Sequence, residues 1–273
     1  MTQEVKRVVV QLDAASETGT AIDTAARLAA RWRVPLHGVF IEDEELIDLA
    51  GLPFARQVTL GRGPEPLTKD HVEDHFRAFA ERARRDVAAA ADQHDVNWSF
   101  ETVRGPLAPD VLGGEDDFIV AGAASRPIGD HFRIASRWQS WMAIVARPFL
   151  LAKCQWESGG SVFTLLRHRD PTSARTLDIA AQIAGFRSGS LTVAGGPGLA
   201  GSDDFTAWVS ERLEGHSLRL QTESAATEPA ALRQRIIELD CRLLVLEASE
   251  QGALPDELRE LVEQLACDVL IIR

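Results

Sequence analysis

The sequence predicts an α/β protein made of two tandem five-stranded parallel-sheet domains, each doubly wound with helices on both faces. Three observations predict it. Short apolar runs rich in Val, Ile and Leu alternate with longer helical stretches, and the alternation occurs twice in the same order within 273 residues. Apolar residues at 45% and charged residues at 26% are ordinary for a packed chain rather than a disordered one. The runs are four to seven residues or so, the length and composition of strands buried on both faces.

Taken in order, VKRVVVQLD gives a strand that ends at Asp13, and ETGTAIDTAARLAARW gives the helix after it. PLHGVFI is a second strand. Residues 43–68 contain GLPFARQVTLGRGPEPL, too rich in Gly and Pro for regular structure, and form an excursion. A long helix is expected over 69–94, where Phe76, Phe79, Ala80, Ala83 and Val87 form an apolar stripe. DDFIVAGA then leads through a helix to ARPFLLAK.

The second half repeats the series. SVFTLLRHRD is followed by PTSARTLDIAAQIAGF, then SLTVAG, and CRLLVLEA leads through a helix to ACDVLIIR. The seam is QWESGG, residues 155–160, which gives expected domains of 1–154 and 160–273.

Charge and cysteine content limit the function. A formal net charge of −12 disfavours nucleic acid and anionic membrane as partners. Cys154, Cys241 and Cys267 are widely spaced with no CxxC, which argues against a disulfide scaffold or structural zinc. No run reaches the length of a membrane span, and MTQEVKRVVVQLD lacks signal-peptide features, so a cytoplasmic location is expected.

The strand ending in Asp13 before an Ala-rich helix, VRGPLAPDVL before the fourth strand, IVAGA with its loop and helix, and RPFLLAK as a closing strand together resemble the universal stress proteins in their tandem two-domain form. The resemblance implies a strand order of 3-2-1-4-5 and, in many members, an adenine nucleotide at the carboxyl ends of strands one and four. The reversal of strand order makes that crevice a general ligand position. The family's phosphate motif, laid on this chain, falls on Gly122, Ser125, Ala135 and Ser136, with two of its four identities kept. Ser125 and Ala135 stand where the family has glycine. The resemblance also gives Asp13 a nucleotide-holding role and places Phe40 and Ile41 beside the adenine, with ATP or AMP as the cofactor; a helix cap is the structural alternative for Asp13. Arg126, Arg133 and Arg137 are available around the loop.

The second half departs further. SEQGAL is too short for the motif, and Glu247 puts negative charge where phosphates would lie, so no nucleotide is expected there. Asp170 keeps an acid near the first strand.

Other constellations are weaker. Gly196 to Gly201 spell GxGxxG with Glu223 further on, an NAD-type fingerprint opposed by Asp203 and Asp204 and by its position second in its half. His71 and His75 share a helix face without the HExxH order of a zinc site. Trp138 and Trp141 fit core or interface packing. Neither a GxSxG elbow nor a P-loop occurs, so no catalytic residue is assigned and an enzyme is not the leading expectation.

The two apolar closing strands are expected to lie at sheet edges, which invites pairing with each other or with a second copy as a homodimer. Two readings lead at this point, with an NAD-linked or nucleotide-hydrolysing enzyme as a third. One is a stress-response binding protein with a nucleotide in the first half; the other is a protein-interaction module, with an unknown regulatory partner, whose sites have decayed.

Overall fold

The computed structural model describes residues 5–14, 18–57, 63–105, 116–123, 147–156, 159–187, 189–196, 199, 203–224, 228–249 and 254–273. In the first half β1 (Arg7–Leu12), α1 (Thr18–Trp32) and β2 (Leu36–Glu42) are followed by α2 (Glu44–Ala50), the short strands β3 (Arg56–Gln57) and β4 (Glu65–Pro66), α3 (Lys69–His94), β5 (Trp98–Arg104), β6 (Asp117–Gly122) and β7 (Phe149–Ala152). The second half contains β8 (Ser161–Leu166), α4 (Pro171–Arg187), β9 (Ser190–Gly195), α5 (Asp203–Arg212), β10 (Arg219–Ser224), α6 (Pro229–Glu238), β11 (Cys241–Glu247), α7 (Asp256–Gln264) and β12 (Asp268–Ile272).

Ten strands form one sheet in the order β10-β9-β8-β11-β12-β7-β6-β1-β2-β5. Within each half the order is 3-2-1-4-5 and all pairs are parallel. The halves join where the closing strands meet antiparallel, Leu270 opposite Leu150 and Ile271 opposite Phe149. This removes two apolar edges at once. The outer edges β5 and β10 alternate between exposed and partly buried residues, as half-covered strands do.

Side chains from the two faces of the sheet fill two cores. On one face α1, α3, α4 and α5 cover Val8, Val10, Phe40, Phe118, Leu243 and Leu270. On the other, α6 and α7 pack on Phe163, Leu165, Leu244, Val269 and Ile271, and the layer continues through Phe149, Ile119 and Val9. Trp32 of α1 crosses between the halves: its ring N–H donates to Gln182 and its ring meets Phe186. Among the described residues, no helix is long and apolar enough to cross a membrane.

Two expectations need correction. The 43–68 excursion contains a helix, α2, which Asp43 caps by accepting from the Leu46 N–H at 3.3 Å while Glu44 and Glu45 occupy its first turn. It also contains the β3–β4 hairpin. The α3 stripe holds at Phe76, Ala80, Ala83 and Val87, but Phe79 is 43% exposed, because the step of three from Phe76 rotates it past the buried face. At the seam, Gly160 has φ +70, and a Cβ there would overlap the Arg242 side chain, so the turn into β8 requires glycine.

Candidate crevices at the carboxyl ends of the strands

In each half the strand order reverses between the first and fourth strands, which leaves a crevice beyond their carboxyl ends. In the first half these are β1 and β6, with Gln11 beside Ala121. The next step of the ladder brings Leu12 to Gly122. In the second half β8 and β11 pair Leu165 with Leu246, and the next step brings Leu166 to Glu247. Gly122 and Glu247 therefore hold equivalent places, as do Asp13 and Arg167.

The backbone is the same in both places. Ala123 N–H donates to Ala152 O at 3.0 Å, and Ala248 N–H donates to Ile272 O at 2.8 Å. The side chains differ in kind. Gly122 ends β6 within the ladder, opposite Ala152, and brings no side chain to the crevice. Asp13, half-buried, follows β1.

Phe40 and Ile41, near the end of β2, are both buried. Phe40 is 1% exposed and belongs to the α1/α3 core, while Ile41 is 4% exposed and belongs to the opposite layer. Ser125, Ala135 and Ser136 of the phosphate-type loop lie outside the described residues, as do Arg126, Arg133, Arg137, Trp138 and Trp141.

The rim beyond β2 and β5 is charged and already paired. Arg104 donates to Glu42 at 3.0 Å and also bridges to Glu73 at 3.0 Å. Those carboxylates raise its pKa further, so the cation is fixed and its charge is spent locally. Gly105 follows with φ +98 and Glu44 close by.

In the second half Glu247 occupies the crevice floor at 6% exposure. Its Oε2 accepts from the Arg167 N–H at 3.0 Å, while Oε1 is buried without a hydrogen-bond partner. Burial raises its pKa, which the Arg167 N–H and the neighbouring Ser173 hydroxyl only partly offset. Asp170 is not the counterpart of Asp13. It lies three residues past Arg167 and caps α4, accepting from Ser173 N–H at 2.8 Å.

The remaining sequence candidates have settled partners. Gly196 closes a turn, donating to Leu166 O and accepting from Leu199 N–H, while the rest of the GxGxxG run is outside the described residues apart from Leu199. Glu223, the acid a ribose would need, is gripped by Arg235 at 2.6 Å. His71 and His75 are exposed on the first turns of α3. A polar groove of about 570 Å³ lies between α4 and α5, lined by Asp178, Gln182, Trp208, Glu211, Arg212 and His216, and the Arg212–Asp178 pair at 2.7 Å lies along it.

Two five-stranded doubly wound units sharing one sheet, each with its strand order reversed between first and fourth strands, define the class of fold. Among solved structures the chain is similar to a universal stress protein from Archaeoglobus fulgidus DSM 4304, at 12% identity over 99% of this chain and 97% of that one, with a TM-score of 0.67. It is also similar to a protein assigned as a universal stress protein from Pseudomonas aeruginosa UCBPP-PA14, at 14% identity over 99% and 94% of the chains, TM-score 0.63. A functionally unknown protein from Pseudomonas aeruginosa PAO1 matches at 15% identity over 99% and 93%, TM-score 0.63. No family model and no curated protein matches the chain. The fold is that of the universal stress proteins along nearly the whole chain.

Proposed function

We propose that the protein is a two-domain universal stress-like binding protein, with domains at 1–154 and 160–273, that takes ATP or AMP in the first domain alone. The observation that carries this reading is the exchange at the fourth strand: Gly122 leaves the first crevice floor without a side chain, while Glu247 fills the second with a carboxylate. A buried carboxylate repels phosphate and occupies its space. In this reading Asp13 and the loop from Gly122 through Ser125 and Ala135 to Ser136 hold the nucleotide. The second domain is the structural partner that completes the sheet.

The test is thermal unfolding with ATP, AMP or NAD at millimolar concentration. Binding at a hundred times Kd adds about 2.7 kcal/mol, a rise of several degrees in Tm. The expected result is a rise with ATP or AMP that disappears in Gly122→Val. No rise with any adenine nucleotide overturns the reading. A second reading, protein contact without nucleotide, is favoured by Leu49, Leu52 and Phe54, exposed at 38%, 40% and 73% on the excursion.

A further inference from the structure

All three cysteines of the chain carry free thiols near the seam between the halves. Cys241 opens β11 and Cys267 immediately precedes β12, on neighbouring parallel strands in which Leu243 stands opposite Asp268. Both side chains enter the same core layer, at 7% and 6% exposure. A register shift between Cys241 and Leu243 bulges the start of β11 and turns Cys241 into the same layer as Leu244 and Cys267. Neighbouring strands stand about 4.8 Å apart, within the window of about 4.4–6.8 Å between Cα atoms for a disulfide.

Their environments set the three thiols apart. The Cys241 thiol donates to Leu243 O at 3.2 Å, and the proximity of the two thiols raises the pKa of Cys241 and lowers that of Cys267. Lys153, anchored on the carbonyls of Val262 and Leu265, adds positive charge beside Cys267. Asp268 and burial oppose ionisation of Cys267 without reversing the direction. Cys154 is different: burial and Asp268, 3.4 Å from its sulfur, push its pKa up to about 11. Of the three thiols Cys267 is the one whose pKa is lowered, and Cys241 is its neighbour in the same core layer.

We infer that Cys241 and Cys267 form a reversible intramolecular disulfide when the protein meets a hydroperoxide. The Cys267 thiolate attacks the peroxide, the O–O bond breaks, Cys267 becomes a sulfenic acid, and the leaving oxygen takes a proton to depart as water or alcohol. The Cys241 sulfur then attacks the sulfenic sulfur, the S–O bond breaks, and a second water leaves. Two thiols lose two electrons in all, and one peroxide gains them. A dithiol reductant reverses the step by exchange. The cross-link would close the loop that contains α7, next to the strand pair that joins the halves. It does not depend on nucleotide binding.

The experiment treats the full chain with hydrogen peroxide, blocks free thiols with maleimide, and maps peptides by mass spectrometry. The expected result is a linked Cys241–Cys267 peptide lacking two hydrogens, reversed by dithiothreitol, with Cys154 still labelled. In Cys241→Ala the oxidation should stop at a dimedone-reactive sulfenic acid on Cys267. The inference is overturned if no linked peptide forms at doses that oxidise the methionines, or if the link uses Cys154. The peptide map of the unaltered chain decides the matter even if the alanine variant fails to fold.

Discussion

Among the described residues at the strand ends, the two crevices share their ladder hydrogen bonds and differ at two positions. Gly122 with Asp13 in one half stands where Glu247 with Arg167 stands in the other. In the first, the floor carries no side chain. In the second, a carboxylate accepts from the Arg167 N–H, which removes that donor from the crevice, and its negative charge is buried there. A duplicated fold can thus keep its ladder hydrogen bonds while the residue at the strand end changes from glycine to a carboxylate, because strand geometry does not depend on the last side chain.

The largest expected effect comes from a third difference between the halves, at their closing strands. PFLLAK and DVLIIR align so that Pro148 corresponds to Asp268. Asp268 is 0% exposed and accepts from Arg187 at 3.2 Å and from the Lys153 and Cys154 N–H groups at 2.9 and 3.1 Å. Trp156 lies 4.3 Å beneath the Arg187 guanidinium. Asp268→Ala leaves a buried cation unpaired, so a loss of about 3–5 kcal/mol is expected in urea unfolding. A loss below about 1 kcal/mol would show that the seam does not depend on this acid.

Much of this contrast was legible in the sequence, because buried parallel strands declare themselves as continuous apolar runs and the repeat aligns them. Gly122 and Glu247 could be lined up from FIVAGA and LLVLEA alone. That Arg167, and not Asp170, is the partner of Asp13 could not, since it depends on where β8 stops and α4 begins, and strand ends carry no periodic signal. Helix α2 was hidden for a different reason. The Gly and Pro residues after it dominated the segment, although Asp43 followed by two glutamates is a helix-start pattern. The cysteine contact was invisible because 241 and 267 become neighbours only through the β11–β12 ladder.

The next prediction moves the second half's feature into the first. Gly122→Glu should abolish any ATP- or AMP-dependent rise in Tm while the fold persists, at a stability cost of about 1–3 kcal/mol for a buried carboxylate without a full set of partners. Circular dichroism checks the fold and calorimetry the binding. Retained nucleotide binding in this variant would break the comparison, because the exchange at this position would then not decide which crevice is open.

The smallest effect is also the most specific, since it isolates the charge of Glu247 from its shape. Burial raises the folded-state pKa of this carboxyl above its unfolded value, so between the ordinary carboxylate range and the raised value the folded protein holds more protons than the unfolded chain. Stability therefore falls as pH rises through that window, and Glu247 is least costly when protonated. Glu247→Gln keeps the acceptor for the Arg167 N–H, removes the buried charge and offers an amide N–H to the neighbouring Ser173 hydroxyl. At pH 7 the variant should be more stable by about 1 kcal/mol, the scale of one satisfied buried polar group. The fall in stability above the carboxylate range should flatten in the same urea titrations. A variant less stable than the parent at pH 7 would mean that the carboxylate's charge is compensated in the crevice, and the second half would then have to be considered as a site in its own right.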